Sequence, residues 1–241
     1  NDLLAQLDQS VKTQKRFIAD AAHQMKTPLA GLQMQAELAQ REQSPDELRR
    51  SLALIAAGSA RAAHLVQQLL ALARMENPTG AWVAVDLVAL ARETVTDWLP
   101  NAWNRRIDLG FDDAALPLWI DGQPLMLREM LNNLIDNAIR YTPEHGRVTV
   151  RVVRDAFGGG VVLDVEDNGP GIPEAERQHV VQRFYRILGS NVDGSGLGLA
   201  IVKEIVAHHN AELEILDHVD PESPRGSGTL IRITFPPAQS P

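Results

Sequence analysis

Residues 1 to about 76 carry apolar or small side chains at close to heptad spacing, with Pro28 inside the pattern. This spacing predicts one long helix with an apolar seam along one side. A second helix is predicted from Pro45, because "SPDE" places a capping serine, a proline and a glutamate at a helix start, and "MENPTG" (75–80) ends it. The seam positions are Leu4, Leu7, Val11, Ile18, Ala21, Met25, Leu32 and Ala39 in the first helix, and Leu48, Leu52, Ile55, Ala62, Leu65, Leu69 and Leu72 in the second.

Two long helices joined by a tight connection form a hairpin. Such a hairpin buries too little apolar surface by itself, whereas two hairpins from two chains complete a four-helix bundle. We therefore expect a homodimer through this hairpin. The alternative is that the hairpin packs onto another part of its own chain.

From about residue 80 onward, strand-like and helix-like segments are mixed. Helices are predicted at 86–99, at 123–140 and in "GLGLAIVKEIVAHH". The predicted strands are "WVAVDL", "RIDLGF", "RVTVRVV", "GVVLDVED", "AELEILD" and "GTLIRITF". Helices beside an antiparallel or mixed sheet make an α+β layer. The expected fold class is therefore α+β, with a helical domain at 1–78 and a two-layer α/β sandwich at 79–241.

Composition narrows the functions open to the chain. With 44% hydrophobic and 22% charged residues among 241, it is typical of a soluble globular protein. The net charge of −8 argues against nucleic acid as a partner, because phosphate backbones favour clustered Lys and Arg. The absence of cysteine excludes disulfides, thiol catalysis and cysteine-bound metals. No apolar run approaches about 18 residues, so we expect no membrane contact by this fragment, which starts at Asn1 rather than Met.

His23 and Thr27 stand four residues apart on the first helix, just before Pro28. Each lies two positions from the seam residue Met25, about 200° around the helix, so both project outward. Pro28 lacks a backbone donor and crowds the carbonyl of Gln24, which predicts a bend in the helix. A neutral imidazole on such a stretch is a competent nucleophile near neutral pH. The alternative is an ordinary solvated histidine.

The helix at 123–140 places Glu129, Asn133, Asn137 and Arg140 within about 80° of arc. Asparagine is a poor helix former, so two on one face beside a glutamate favour a functional role. Amide and carboxylate oxygens suit Mg²⁺ bound together with substrate phosphates, and a guanidinium suits a phosphate oxygen. The alternative is a solvated helix face.

A predicted strand runs directly into a glycine-rich loop in "LDVEDNGPGIP". Asp167 at the strand end can accept a hydrogen bond from an exocyclic amine such as that of adenine. Gly169 and Gly171 allow either the close approach of a ligand or a sharp turn of the backbone. The alternative is a tight strand-to-loop turn without a ligand.

A second glycine-rich loop, "DGSGLGLAIV", leads into a helix. Gly194, Gly196 and Gly198 leave the first N–H groups of that helix open to a phosphate. The loop lacks the lysine of a P-loop and does not fit the dinucleotide fingerprint. The alternative is an ordinary glycine-rich turn, since such turns are common. The segment between the two loops, residues 174–193, has a length suited to a lid over a nucleotide.

Five motifs in this order resemble those of the sensor histidine kinases of bacterial two-component systems, over nearly the whole chain. "FIADAAHQMKTPLAGL" is similar to the family's H-box, "REMLNNLIDNAIRYTP" to its N-box and "VEDNGPGIP" to its first glycine box. "RFYR" resembles its F-box and "GSGLGLAIV" its second glycine box. The resemblance implies a dimerisation and histidine-phosphotransfer hairpin followed by a GHKL-type ATP-binding domain.

The resemblance also implies a role for each matching residue. His23 would be the phosphoacceptor, and Thr27 would orient water for dephosphorylation of the partner regulator. Asn137 would bind Mg²⁺, with Asn133 and Glu129 supporting the metal and the phosphates. The implied nucleotide contacts are Arg140, Arg186, Gly194, Gly196 and Gly198 at the phosphates, Tyr141 near the nucleotide, and Asp167, Gly169 and Gly171 around adenine.

The sequence departs from the family pattern at Gln24. An acidic residue usually follows the histidine there, where it orients the imidazole and accepts its proton. An amide accepts a hydrogen bond but is not a useful general base near pH 7. Either the proton leaves by another route or autophosphorylation is slow.

The function expected from the resemblance is ATP-dependent autophosphorylation on His23, then phosphotransfer to an aspartate of a response regulator receiver domain. Phosphatase activity on the phosphorylated regulator is expected as well. By analogy, the fragment is expected to be the cytoplasmic portion of a bacterial inner-membrane sensor. Two alternatives stay open: a GHKL-type ATPase that drives conformational change, and a weakly active nucleotide-gated scaffold.

Overall fold

The computed structural model describes residues 2–42, 44–75, 80–113, 116–156, 158–187, 194–219 and 227–237. Side chains are described from Ala19 onward, except those of Asp20, Gln24, Arg74, Met75, Asp113, Val219 and Ser227. The chain divides into two compact units, Asn1–Ala73 and Arg74–Pro241. The domain boundary predicted at 78 lies outside the described residues, so it stays a prediction.

In its described residues, the first unit is a pair of long helices, as predicted. α1 spans Asp2–Ala39 with Pro28 inside it, and α2 spans Pro45–Met75. α2 begins with a proline, whose missing N–H is not needed there, and acidic residues in its first turn suit the positive end of the helix dipole. None of the described helices combines the length and the apolar character needed to cross a membrane. The bend at Pro28 stays a prediction.

The two helices approach closely where α2 carries Gly58. A methyl group at this glycine would lie 2.8 Å from Cδ2 of Leu32 on α1, so a larger residue there would displace that leucine. Buried Leu65 and Leu72 continue the same face of α2. Other large apolar side chains of the hairpin are exposed: Leu29, Met34 and Leu38 on α1, and Leu48, Leu52, Leu54 and Leu70 on α2. The hairpin of one chain therefore leaves a substantial apolar surface uncovered.

The second unit is a two-layer α/β sandwich, as predicted. Its helices are α3 Leu87–Asn104, α4 Pro124–Tyr141 and α5 Gly198–His208. Its strands are β1 Val83–Asp86, β2 Asp108–Asp113, β3 Trp119–Gly122, β4 Arg147–Arg154, β5 Val161–Asp167, β6 Glu212–Val219 and β7 Ser227–Phe235. Among the described residues, five strands form one sheet in the order β2-β4-β5-β7-β6, in which β2 runs parallel to β4 and the other neighbours are antiparallel.

The sequence pattern missed one strand and shortened one helix. β1 and β3 pair antiparallel as a small separate sheet, and no strand was predicted at 119–122, because four residues carry too little periodicity to stand out. α3 continues to Asn104, although the pattern predicted an end at 99. Pro100 is exposed, so water can satisfy the carbonyl that loses its helical donor.

The two faces of the larger sheet differ in chemistry because side chains alternate along each strand. Val150, Leu163 and Ile233, all fully buried, belong to one face. On the opposite face, one row of side chains in register across the described strands alternates in charge: Asp112, Arg151, Asp164, Arg232 and Glu214. Arg232 donates to both carboxylate oxygens of Asp164, at 2.9 and 2.8 Å, which offsets the cost of burying a carboxylate that is only 2% exposed.

His209 joins three elements at the end of α5. Its Nε2 accepts a hydrogen bond from the backbone N–H of Gln123 (3.1 Å), and its Nδ1 donates to the carbonyl of Ile205 (2.8 Å). The indole of Trp82 lies 5.1 Å from the imidazole between ring centroids, and the amide of Gln123 donates to the carbonyl of Gly80 (2.9 Å). Both ring nitrogens are thus used by a neutral imidazole, and burial lowers the pKa of His209.

We predict that His209→Phe lowers the free energy of unfolding at pH 7.5 by about 1–3 kcal/mol, because the buried N–H of Gln123 loses its acceptor. Since the folded chain disfavours the charged ring, His209 stabilises the fold above pH 6.5, and this contribution is lost as the pH falls below that value. Urea unfolding at pH 7.5 and 5.5 measures both effects. The wild type should lose more stability between the two pH values than His209→Phe; equal losses would contradict the assignment.

Candidate functional site

The polar face of α4 forms one wall of the candidate site. The apolar residues on its other side are buried, namely Leu127, Met130, Leu131, Leu134, Ala138 and Ile139. On the polar side, Nδ2 of Asn133 donates to the backbone carbonyl of Glu129 (2.8 Å) and to its carboxylate Oε1 (3.1 Å). Because the amide nitrogen is held in this way, the amide oxygen of Asn133 is directed away from Glu129.

α5 begins directly against the amides of α4. A methyl group at Gly198, the first residue of α5, would lie 3.0 and 3.2 Å from the amide atoms of Asn137 and 3.3 Å from Oδ1 of Asn133. The absence of a side chain therefore allows the helix start to approach α4 this closely. The side-chain amides of α4 and the N-terminal end of α5 therefore lie side by side. The N–H groups of a helix start suit an anion, and amide oxygens suit a cation bound with it.

The end of α4 meets the second glycine loop at Gly194. A Cβ at that position would lie 3.8 Å from Nη1 of Arg140 and 3.9 Å from the hydroxyl of Tyr141. The other amino group of the guanidinium, Nη2, donates to Oδ2 of Asp136 at 2.6 Å. The structure therefore brings together two motifs that are far apart in sequence, and it adds Asp136, which sequence reasoning did not select.

Asp167 lies at the end of β5 and is 8% exposed. Its Oδ1 accepts hydrogen bonds from the backbone N–H groups of Gly169 (2.9 Å) and Thr229 (3.3 Å). Burial raises the pKa of Asp167, and these hydrogen bonds oppose the shift. A methyl group at Gly169 would lie 3.0 Å from the carbonyl oxygen of Tyr141, so the first glycine loop packs against the end of α4. Gly171 has φ of +73°, a conformation that favours glycine.

Two further residues of this corner were missed from the sequence. Thr229 lies on β7, 62 residues from Asp167 along the chain, and only the pairing of β5 with β7 places them side by side. Oδ1 of Asn168 accepts the backbone N–H of Arg147 at 2.8 Å and so fastens the first glycine loop to the start of β4. An asparagine directly after a strand was an available turn signal. The position of Thr229 had no local signal.

The segment before the second glycine loop is fastened to that loop and to α5. The N–H of Phe184 donates to the carbonyl of Gly196 (2.8 Å), and Gly196 has φ of +71°. Arg183 forms an ion pair with Glu204 of α5 at 3.1 Å. The stretch that resembles an F-box is therefore joined to the second glycine loop through its backbone and to the middle of α5 through one side chain.

Other candidate residues lie on the surface or outside the described residues. Arg186 is exposed, and its phosphate contact stays a prediction. Residues 188–193 of the predicted lid lie outside the described residues. In the first unit, His23 and Thr27 are both exposed on α1, while the side chain of Gln24 is among those not described. The outward placement inferred from the seam agrees with these exposures.

The donor set on α4 fits a magnesium ion only together with phosphate. Within the described ranges, no three or more His, Asp and Glu side chains group as a metal site. The predicted magnesium residues are two amides, Asn133 and Asn137, and one carboxylate, Glu129. Mg²⁺ commonly takes few protein ligands and completes its shell with water and substrate phosphates, so this sparse oxygen set is compatible with it.

Comparison with known proteins assigns a family to part of each unit. Residues 13–78 match the family described as the His Kinase A (phospho-acceptor) domain. Residues 122–239 match the family described as histidine kinase-, DNA gyrase B-, and HSP90-like ATPase. The first match includes the exposed His23, and the second includes α4, Asp167 and both glycine loops.

Individual relatives agree with these families. Sensor protein kinase PmrB of Pseudomonas aeruginosa is 34% identical over 242 residues, which cover 99% of this chain and 49% of PmrB. Signal transduction histidine-protein kinase/phosphatase MprB of a Mycobacterium species is 35% identical over 242 residues, which cover 97% of this chain and 46% of that protein. The chain thus spans about half the length of these relatives.

A solved structure extends the likeness from sequence to fold. The structure of a mycobacterial sensor histidine kinase, MprB, is 34% identical, with a TM-score of 0.54, and the match covers 65% of this chain and 97% of the solved one. The two family matches also occur in the order of the two structural units. The chain therefore belongs to the family of bacterial sensor histidine kinases.

Proposed function

We propose that the chain phosphorylates itself on His23 at the expense of ATP and then passes the phosphoryl group to an aspartate of a response regulator receiver domain. The observation that carries the proposal is the convergence on α4: Asn133 and Asn137 meet the start of α5, and Arg140 meets Gly194. Amides, a guanidinium and a helix N-terminus in one place suit a polyphosphate. An exposed imidazole on α1 offers a nucleophile for it.

Asp167 supports recognition of the adenine ring. Because its Oδ1 already holds two backbone N–H groups, the carboxylate is fixed in orientation. Its second oxygen can then accept a hydrogen bond from the exocyclic amine of adenine. A mostly buried carboxylate that binds an amine in this way discriminates against bases that present a carbonyl at the same position.

In the proposed reaction, an imidazole nitrogen of His23 attacks the γ-phosphorus of ATP. The N–P bond forms while the bond from phosphorus to the bridging oxygen breaks, and ADP leaves. The protein contributes mainly positioning and charge neutralisation, which Arg140 and the first N–H groups of α5 would supply. Mg²⁺ held by Asn137, with Asn133 and Glu129, would neutralise charge on the phosphates when bound.

The second half of the proposed cycle moves the phosphoryl group to the regulator. A carboxylate oxygen of the receiver aspartate forms the new bond to phosphorus while the bond to the His23 nitrogen breaks. Thr27 lies one turn from His23 and is exposed, which supports a role for its hydroxyl in orienting a water for hydrolysis of the phosphorylated regulator. One relative is named a kinase/phosphatase, which supports this part of the proposal.

The exposed apolar side chains of the hairpin support a homodimer. Leu29, Met34 and Leu38 on α1 and Leu52 and Leu54 on α2 are each exposed by 46% or more in one chain. A second hairpin would cover such a surface and complete a four-helix bundle. The match to the phospho-acceptor family over 13–78 supports the same arrangement.

With γ-labelled ATP and Mg²⁺, we predict a base-stable, acid-labile label on the wild type and background labelling of His23→Ala. ATP binding should persist in the variant, because the nucleotide residues lie in the other unit. His64→Ala, which removes the other histidine of the hairpin, is the matched control and should be labelled. A label that persists in His23→Ala contradicts the proposal, and phosphate release without phosphoprotein would favour the ATPase alternative.

We predict that Gln24→Glu raises the autophosphorylation rate by at least about tenfold, because a carboxylate can accept the imidazole proton where an amide cannot. Single-turnover labelling from pH 6 to 9 measures the rate. Gln33→Glu makes the same chemical change elsewhere on α1 and should leave the rate unchanged. If Gln24→Glu binds ATP but is labelled no faster than the wild type, the proton leaves by a route independent of residue 24. If neither protein is labelled, the scaffold alternative is favoured.

We predict that Asp167→Asn stabilises the ligand-free chain and weakens ATP binding by about 10- to 100-fold. Burial raises the pKa of Asp167, so its charged form costs stability at pH 7, and the amide removes that cost. The amide oxygen would keep the two backbone N–H groups and present NH₂ to the amine of adenine. Thermal unfolding and calorimetric ATP titration measure the two effects.

The matched control for this prediction is Asp164→Asn on the same strand. Asp164 binds Arg232 through both oxygens, so its neutral variant leaves a guanidinium without its carboxylate and should destabilise the chain. Equal destabilisation by both substitutions would show that Asp167 is a structural carboxylate rather than a binding one.

A further inference from the structure

Asp136 lies on the polar face of α4 but carries none of the roles assigned above. Its Oδ2 accepts a hydrogen bond from Nη2 of Arg140, one helical turn away, at 2.6 Å. The two side chains are 18% and 25% exposed, so the ion pair is largely shielded from water. Shielding strengthens such a pair and reduces its sensitivity to salt.

The ion pair sets the direction of the guanidinium. While Nη2 is bound to Asp136, Nη1 lies 3.8 Å from the position that a Cβ of Gly194 would occupy. Arginine carries its donors in a rigid planar fork, so fixing one amino group also fixes the other. The Nη1 side of Arg140 is therefore aimed at the second glycine loop.

We propose that Asp136 is a positioning residue for nucleotide binding: it holds Arg140 in the orientation that meets the triphosphate at the second glycine loop. This inference rests on the proposed function of the site as an ATP site. An arginine side chain that is oriented in advance loses less conformational entropy when the phosphates bind. The carboxylate acts on the phosphates only through the guanidinium.

Two competing effects of Asp136 give different experimental results. A carboxylate next to a triphosphate repels it, so if repulsion dominated, removing the carboxylate would strengthen ATP binding. If the pair only stabilised α4, as an ordinary pair four residues apart does, its loss would change ATP and adenosine binding alike. Positioning of Arg140 instead weakens the binding of the phosphate-bearing ligand alone.

The test is calorimetric titration of the full chain with Mg²⁺-ATP and with adenosine. Asp136→Asn should weaken ATP binding by about 5- to 30-fold, since Arg140 must then be ordered upon binding. The affinity for adenosine should stay unchanged, because adenosine has no phosphate for Arg140 to contact. Asp136→Glu keeps a carboxylate within reach of the guanidinium and should recover most of the ATP affinity.

A matched control and a double variant sharpen the result. Arg128 lies on α4, like Asp136 and Arg140, and its Nη2 donates to the carboxylate of Glu93 on α3 at 2.6 Å. This ion pair lies away from the glycine loops, so Glu93→Gln should leave ATP binding unchanged. Arg140→Ala should weaken ATP binding by about 10- to 100-fold. Adding Asp136→Asn to Arg140→Ala should cause no further loss, because Asp136 acts through Arg140.

Two sets of outcomes overturn the inference and are distinguishable. In the first set, Arg140→Ala weakens ATP binding, but Asp136→Asn either leaves ATP binding unchanged, strengthens it, or weakens the binding of ATP and of adenosine equally. Any of these results would show that Asp136 does not position Arg140, while the ATP site itself would stand. If the wild type does not bind ATP, or Arg140→Ala binds it as tightly as the wild type, the phosphate role of Arg140 is wrong and the inference falls with it.

Discussion

The close approach of α5 to α4 at Gly198 is the constraint on which the rest of the candidate site depends. A Cβ at Gly198 would meet the amides of Asn133 and Asn137 at 3.0–3.3 Å, so any larger residue there would have to displace these two side chains. At their other ends, the same two helices are joined by the hydrogen bond between Gln123 and His209. Two antiparallel helices fixed at both ends form a rigid frame, and a polyphosphate site needs such a frame because its catalysis is mostly positioning.

Three buried polar side chains of the second unit differ in how far their neighbours offset the free-energy cost of removing them from water. Asp164 is fully paired by Arg232, and His209 stays neutral with both nitrogens used. Asp167 accepts hydrogen bonds from the backbone N–H groups of Gly169 and Thr229 but forms no salt bridge among the described residues; burial raises its pKa, against the opposing effects of these donors, the Thr229 side chain and the charge of His218. Of the three, the residue at the candidate site is the one left in the least favourable surroundings, as expected where function rather than stability selects the residue.

The two units divide the chemistry between them. The hairpin offers an exposed imidazole on a helix whose apolar neighbours are also uncovered, while the sandwich contains the groups suited to ATP. A neutral imidazole nucleophile is activated by a base that accepts its proton. The adjacent residue 24 is an amide, so such a base would have to come from elsewhere.

The sequence by itself determined the features that depend on local spacing. The heptad seam determined the two long helices, the polar face of α4 followed from its 3.6-residue period, and the glycine loops followed from their composition. Tertiary structure alone decided the contacts between distant segments: Thr229 beside Asp167 through strand register, Gly194 beside Arg140 through helix packing, and β3 beside β1. These contacts depend on which strands pair and how closely helices approach, and both are settled by burial of the whole core rather than by any short stretch of residues.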